Sequence, residues 1–151
     1  MTNEELKTHL LSLIPQATFV ETGEFLEIFI HSENILPLMK NLKDDEKTQF
    51  DYLFCLTCID RISSFEVVYH LLSKNYKHIL VVKSTISNIE NPQTETVSHI
   101  WKTAEFHERE VYDLFGVKFI NHPDLRRIFL EDDWKGFPLR KNYSDPNMIE
   151  L

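Results

Sequence analysis

The sequence predicts an α+β domain, with a mostly antiparallel sheet of about five strands, helices packed on it, and an extended irregular C-terminal tail. Two helical patterns come early in the chain, a run of strand patterns follows, and one more helix closes the regular part. Short connections at 61–64 and 74–77 favour antiparallel neighbours. With 151 residues, the chain is long enough for one domain with its own core.

The first helix is predicted over 3–14, because apolar residues recur there at helical spacing. Thr2 followed three residues later by Glu5 forms a capping-box pattern. Pro15 ends the run, since proline cannot continue a helix.

A β-hairpin is predicted next, with arms at 18–21 and 25–31 and Gly23 in its turn. A second helix is expected over 34–42, where apolar residues again recur at helical spacing. Pro37 fits this helix only in the first turn, where a missing N–H is tolerated.

Three further strands are predicted over 50–60, 65–73 and 78–86. The last one contains the continuous apolar run 79–82, which is typical of an interior strand. Residues 96–101 fit either a helix or a loop.

Cys55 and Cys58 have the CxxC spacing of redox and metal motifs, but they lie within a predicted strand. Residues three apart on a strand point to opposite faces, so the two sulfurs should not meet. We therefore expect two buried, unpaired thiols rather than a disulfide or a metal site.

The formal net charge of −8 argues against nucleic acid or an anionic membrane as the main partner, because both favour basic surfaces. No run of about 18 apolar residues exists, so no membrane span is predicted. The N-terminus lacks a signal-peptide pattern. These features predict a cytoplasmic protein and leave a peripheral place on a membrane complex open.

The third helix is predicted over 104–115, closed by Gly116 in the left-handed conformation. An apolar stripe at i, i+3 and i+4 spacing should face the core. Glu105, Arg109 and Asp113 are spaced to form i, i+4 ion pairs, worth about 0.2–0.5 kcal/mol each. The residues alone thus indicate an amphipathic helix with a solvated, charged face.

A second interpretation of this region is a stand-alone metal-dependent hydrolase. Its candidate ligands and acid–base groups are His107, Glu108, Glu110, Asp113 and His122. The HExxH zinc pattern is incomplete, because Val111 occupies the place of the second histidine. Glu110 and Asp113 share a helix face, but two carboxylates alone are weak evidence for a metal.

Residues 117–151, called the tail from here on, lose regular periodicity while staying rich in apolar and aromatic residues. Such a segment is too apolar for disorder and unusually long for a loop. We expect it to lie extended on a surface, either that of its own domain (1–116) or that of a partner, and its composition favours a partner protein. Nearly balanced charges across 105–143 count against nucleic acid.

The ordered motifs of this region resemble the signature of the NADH-quinone oxidoreductase C subunit, the 30 kDa subunit family of respiratory complex I. The residues that carry the resemblance are Glu108-Arg109-Glu110, Asp113, Leu114-Phe115, His122, Arg126, Ile128, Asp133-Trp134, Gly136, Pro138-Leu139-Arg140-Lys141 and Tyr143. Phe129, Asn142 and Ser144 depart mildly from the pattern. The clear match covers about the last third of the chain.

The resemblance implies a cofactor-free scaffold subunit in the peripheral arm of proton-translocating NADH:quinone oxidoreductase. It implies packing against the neighbouring large subunit, the D subunit, near the iron–sulfur subunits and on the cytoplasmic side of the membrane. FMN and iron–sulfur clusters would be held by partner subunits, and electron transfer from NADH to quinone would belong to the assembly. Equivalent subunits of membrane-bound nickel–iron hydrogenases, or of F420- or ferredoxin-dependent relatives, remain alternatives.

The resemblance also singles out eight residues for assembly rather than for catalysis. They are Glu108, Arg109, Glu110, Asp113, His122, Arg126, Trp134 and Arg140. Arg109 and Asp113 are expected to fix the geometry between helix and tail. Three of the eight, Arg126, Trp134 and Arg140, are expected to bind the partner.

Overall fold

The computed structural model describes residues 1–149, so the last two residues of the predicted tail lie outside the described residues. Five strands form the main sheet: β1 (Thr18–Glu21), β2 (Leu26–His31), β3 (Tyr52–Asp60), β4 (Phe65–Leu72) and β5 (Ile79–Ile86). Their spatial order is β1-β2-β5-β4-β3. Three pairs are antiparallel and β2 pairs with β5 in parallel. The predicted α+β fold is confirmed, with a sheet that is mixed.

Three helices accompany the sheet, namely α1 (Asn3–Leu13), α2 (Ile35–Asp44) and α3 (Ala104–Phe115). The predicted capping box at the start of α1 is present, since Thr2 and Glu5 bond reciprocally. A 3₁₀ turn at Ser32–Asn34 leads into α2, and Pro37 lies in the first turn of that helix, as predicted.

The helices cover one face of the sheet, because alternate strand residues join helix residues in a single core. Leu26, Ile28 and Ile30 of β2 and Val67, Tyr69 and Leu71 of β4 are buried with Leu6, Leu10, Leu38 and Val111 of the helices. Each fully buried aliphatic side chain of this kind contributes roughly 1.5–3 kcal/mol. This core fixes the sheet against which α3 is placed.

Two short strands, one before and one after α3, were not predicted by the sequence patterns. β6 (Gln93–Glu95) and β7 (Lys118–Ile120) pair in parallel as a short ribbon. Residues 96–101 form a loop and turn between β6 and α3, rather than a helix. Since β7 is the start of the tail, the irregular part of the tail begins at Asn121.

The two cysteines are unpaired, as predicted. Cys58 opposes Val67 on the core side of the sheet and is buried, as predicted. The predicted burial of Cys55 is wrong, because Cys55 opposes His70 after a bulge and is partly exposed. Burial raises the pKa of the Cys58 thiol to about 12, so this thiol stays neutral and unreactive near neutral pH.

None of the helices within residues 1–149 combines the length and the apolar character that crossing a membrane requires.

Candidate functional site

Asp113 forms the centre of the junction between α3 and the tail. Its buried carboxylate accepts hydrogen bonds from the guanidinium of Arg127 at 2.9 Å and from the backbone N–H groups of Ile128, Phe129 and Leu130 at 3.2, 2.7 and 3.1 Å. These three residues lie in neither a helix nor a strand, so the carboxylate replaces secondary-structure partners. Burial raises the pKa of Asp113, but these hydrogen bonds outweigh burial and hold the pKa below its ordinary value.

Arg109 reaches the same part of the tail from α3. It is buried, and it donates to the carbonyl oxygens of Arg126 and Arg127 at 3.2 and 3.0 Å. Neither predicted i, i+4 pair of Arg109, with Glu105 or with Asp113, is among the ion pairs of residues 1–149. The predicted solvated helix face is therefore wrong for Arg109 and Asp113, because both are buried and bind the tail.

Arg127 is the tail residue that binds both α3 and a later stretch of the tail. Besides the carboxylate of Asp113, it binds that residue's carbonyl oxygen at 2.8 Å. Its other terminal nitrogen donates to the carbonyl oxygens of Trp134 and Gly136 at 3.2 and 3.0 Å. One side chain thus joins α3 to two separate stretches of the tail.

The tail packs closely against Gly116. It ends α3 with φ 74°, a conformation that glycine adopts without strain. A Cβ atom at this position would lie 2.6 Å from the ring of Phe137 and 2.7 Å from the guanidinium of Arg140. The position therefore requires glycine both for its backbone conformation and for the close approach of the tail.

Arg140 is used within the chain, although the sequence led us to expect it at a partner interface. It donates to the carbonyl oxygen of Phe115 at 2.6 Å. Its guanidinium carbon lies 5.0 Å from the ring centre of Phe137 and 5.2 Å from that of Phe65, within the range of cation–π contacts. This places Arg140 among the residues that hold the tail on the domain.

Two tail residues from the predicted set, Arg126 and Trp134, stay at the surface. Arg126 is exposed and forms only a surface ion pair with Asp124, at 3.0 Å. Trp134 is 40% exposed and Phe129, whose N–H is bound to Asp113, is 66% exposed. The tail therefore turns its polar backbone toward α3 and several aromatic side chains outward.

Glu108 anchors the loop before α3. Its fully buried carboxylate accepts hydrogen bonds from the hydroxyl of Thr96 and, at 2.8 Å, from the N–H of Val97. Burial raises the pKa of Glu108 to about 7, although both hydrogen bonds act to lower it.

His122 lies beside Glu108, with 3.7 Å between its Nε2 and the nearer carboxylate oxygen. Its Nδ1 accepts from the N–H of Asp124 at 3.0 Å, and its Nε2 lies 2.9 Å from the carbonyl oxygen of Glu105. This arrangement fits a neutral imidazole that carries its proton on Nε2. His122 therefore fastens the tail to α3 by hydrogen bonds rather than by an ion pair.

The carboxylates of the hydrolase interpretation do not converge, although His122 lies beside Glu108. The Asp113 carboxylate faces the tail amides, whereas the Glu108 carboxylate faces the loop at 96–97. Half-buried Glu110 belongs to neither group of hydrogen bonds. Within residues 1–149, no three His, Cys, Asp or Glu side chains form a group that could hold a metal ion. The hydrolase interpretation thus loses its geometric support.

The sequence patterns missed Arg127 as the partner of Asp113. The only signal was the Arg126-Arg127 pair, which offers two equivalent candidates for one carboxylate. The sequence patterns also missed that Gly116 contacts the tail. Glycine is common at the end of a helix, so its presence there gave no sign of a further contact.

The order of residues that builds this junction occurs in a known protein family. Residues 28–147 match the family described as respiratory-chain NADH dehydrogenase, 30 Kd subunit. The chain belongs to this family. The residues matched include most of β2, the later strands of the main sheet, α3 and nearly all of the described tail.

Relatives of this chain differ in overall length. The NADH-quinone oxidoreductase C subunit of Roseiflexus castenholzii is 36% identical over 146 residues, covering 93% of this chain and 83% of the relative. The combined C/D subunit of Phocaeicola vulgatus is 49% identical over 105 residues, covering 69% and 20%. The C subunit of Chloroherpeton thalassium is 45% identical over 104 residues, covering 68% and 43%. The chain thus matches less than half of the latter two proteins.

A solved structure shares the fold of this chain. One chain of the membrane-bound sulfane sulfur reductase, an archaeal respiratory membrane complex, matches with a TM-score of 0.81 and 26% identity. The match covers 93% of this chain and 85% of the other. The fold therefore also occurs in a second kind of respiratory complex.

Substituting Gly116 with alanine should displace the tail. Gly116→Ala adds a Cβ that meets Phe137 and Arg140, whereas Gly23→Ala adds one at φ 103° with nothing within 4 Å. Backbone strain lowers the free energy of unfolding at both sites. We expect Gly116→Ala to lower it by more than about 1 kcal/mol beyond the loss in Gly23→Ala, and this excess measures the contact with the tail. Urea denaturation gives both values. Equal losses would contradict the close approach of the tail.

Stability should depend on pH through Glu108. The pKa of Glu108 in the folded chain is raised from 4.5 to about 7, so its stabilising contribution is complete below about pH 4.5 and is lost as the pH rises through 7. Glu108→Gln should become more stable relative to the wild type by roughly 2–3 kcal/mol between pH 5 and pH 8. Urea denaturation across this range measures the difference. A constant difference would contradict the assignment, and Glu131→Gln, which removes an exposed carboxylate, is the control.

Proposed function

We propose that this chain is a cofactor-free scaffold subunit in the peripheral arm of a proton-translocating NADH:quinone oxidoreductase. The tail would pack against the D subunit, close to the iron–sulfur subunits, on the cytoplasmic side of the membrane. FMN and the iron–sulfur clusters would belong to partner subunits, and electron transfer from NADH to quinone would be an activity of the assembly.

The observation that carries this proposal is the outward face of the tail. Phe129, Trp134 and Leu139 expose 66%, 40% and 51% of their surface, although the backbone of each is hydrogen-bonded either to α3 or to Arg127, which itself binds α3. Aromatic side chains held on a fixed backbone are typical anchors of protein interfaces, because little conformational entropy remains to be lost on binding.

The acidic residues beside these anchors indicate the charge of the partner. Glu131, Asp132 and Asp133 are exposed immediately before Trp134. Like charges across an interface cost free energy, so the partner should present basic residues around an apolar pocket. A protein surface of this kind fits the anchors better than nucleic acid, because the phosphates of nucleic acid would be repelled by the three carboxylates.

The names of the relatives support the D subunit as that partner. The matching proteins of Phocaeicola vulgatus and Bacteroides thetaiotaomicron are both named as C/D subunits, and this name combines the C and D subunits. Fusion of two subunits is easiest when they already lie side by side.

The alternative is an equivalent subunit in another membrane-bound respiratory complex, such as a nickel–iron hydrogenase or a ferredoxin- or F420-dependent relative. The fold shared with a chain of the sulfane sulfur reductase favours this alternative. Both proposals assign the same scaffold role to the chain and differ in the redox subunits around it.

Removing an exposed anchor should weaken assembly without unfolding the domain. Trp134→Ala should reduce recovery of the partner at least about tenfold, since truncated anchor residues commonly cost about 2 kcal/mol or more. The measurement is affinity capture of the tagged chain from detergent-solubilised membranes of its host, quantified by mass spectrometry.

Leu11→Ala is the matched control, because Leu11 is 45% exposed on α1, away from the tail. Its recovery of partners should equal that of the wild type. Undiminished recovery with Trp134→Ala would refute the anchor role, and a wild-type chain captured alone would refute the scaffold function. The redox subunits recovered with the wild type decide between complex I and the alternative complexes.

A further inference from the structure

The tip of the hairpin between β3 and β4 holds an exposed residue in an unfavourable conformation. Ile62 has φ 73° and exposes 72% of its surface. β-branched residues rarely adopt the left-handed region. The N–H of Ser63 donates to the carbonyl oxygen of Arg61 at 2.9 Å, and this i→i+2 bond with positive φ defines the rare, strained form of the γ-turn.

Neither the turn nor the core explains an isoleucine here. Glycine or asparagine would adopt the same conformation with less strain. The exposed side chain also contributes little to the core, because most of it stays in contact with solvent. Strain combined with exposure of an aliphatic side chain points to a role outside the folded monomer.

One carboxylate joins this hairpin tip to the tail. Asp60 is 9% exposed, and its two oxygens accept hydrogen bonds from the N–H of Ile62 at 2.7 Å and from the N–H of Lys141 at 2.8 Å. The hairpin tip and the end of the tail are therefore held in a fixed relation. They form one continuous surface rather than two independent loops.

This surface, called the hairpin patch, consists of Ile62, Ile89, Arg61 and Lys141. The side chain of Ile89 is 39% exposed. Ile62, Ile89 and Lys141 also line a shallow cavity of about 80 Å³ together with Arg140 of the tail. Lys141 gives the patch a basic border, which Arg61 extends although its guanidinium also pairs with Glu66 at 3.0 Å. The whole chain carries a net charge of −8.

We propose that Ile62 is an interface anchor that inserts into an apolar pocket, bordered by carboxylates, on the same partner that binds the tail. The inference rests on the proposed function, since that partner is the D subunit. Because Asp60 holds the hairpin patch next to the tail, we expect both to bind the same partner. Because the patch has a basic border, we expect carboxylates around the pocket of that partner. The hairpin patch and the tail would thus bind complementary regions of one protein.

Ile62→Asn separates a role in binding from a role in folding. Asparagine tolerates positive φ, so the melting temperature of the isolated chain should stay the same or rise. Recovery of the D subunit, captured from solubilised membranes of a host that expresses only the variant, should fall about tenfold. Ile62→Leu keeps an aliphatic side chain and should retain most of the recovery.

The outcomes distinguish this inference from the proposed function. Wild-type recovery of the D subunit by Ile62→Asn, together with reduced recovery by Trp134→Ala, would overturn the anchor and leave the scaffold function standing. A lower melting temperature of Ile62→Asn would overturn the argument from strain. A wild-type chain that recovers no D subunit would overturn both proposals.

Discussion

The structure depends on one buried anion, the carboxylate of Asp113. A buried charge costs several kcal/mol unless it is paired and hydrogen-bonded. All of its hydrogen-bond partners belong to the tail, at Arg127 and at residues 128–130. Folding of the tail onto α3 therefore offsets the cost of burying this anion. The close packing of the tail at Gly116 and the contacts of Arg109 hold the tail in the same place.

This constraint also explains why the tail has aromatic residues on its outer side. Because Asp113 of α3 accepts the backbone N–H groups of residues 128–130, these donors need no strand partner and neighbouring apolar side chains can face outward. A segment ordered before it meets a partner loses little entropy on binding. Within this account the internal hydrogen bonds and the scaffold role have the same physical origin, since the domain prepares the surface that the partner recognises.

The regular elements could be predicted because hydrophobic periodicity is a local signal, as α1 and the hairpin between β1 and β2 show. β6 and β7 were missed because three-residue strands carry almost no periodicity. The charged face of α3 was misread because spacing alone cannot distinguish a solvated ion pair from charges that bind remote backbone. The family signature identified the residues around Asp113, but only the folded chain shows that Arg127, rather than Arg126, is its partner.

Hydrogen exchange at the amides of Ile128, Phe129 and Leu130 tests the central claim most directly, with the isolated wild-type chain compared with Asp113→Asn. We expect exchange at least about a hundredfold slower than in an unstructured peptide for the wild type, and a large loss of this protection in the variant. Unprotected amides in the isolated wild-type chain would contradict the central claim, because the tail would then be ordered by its partner rather than by Asp113.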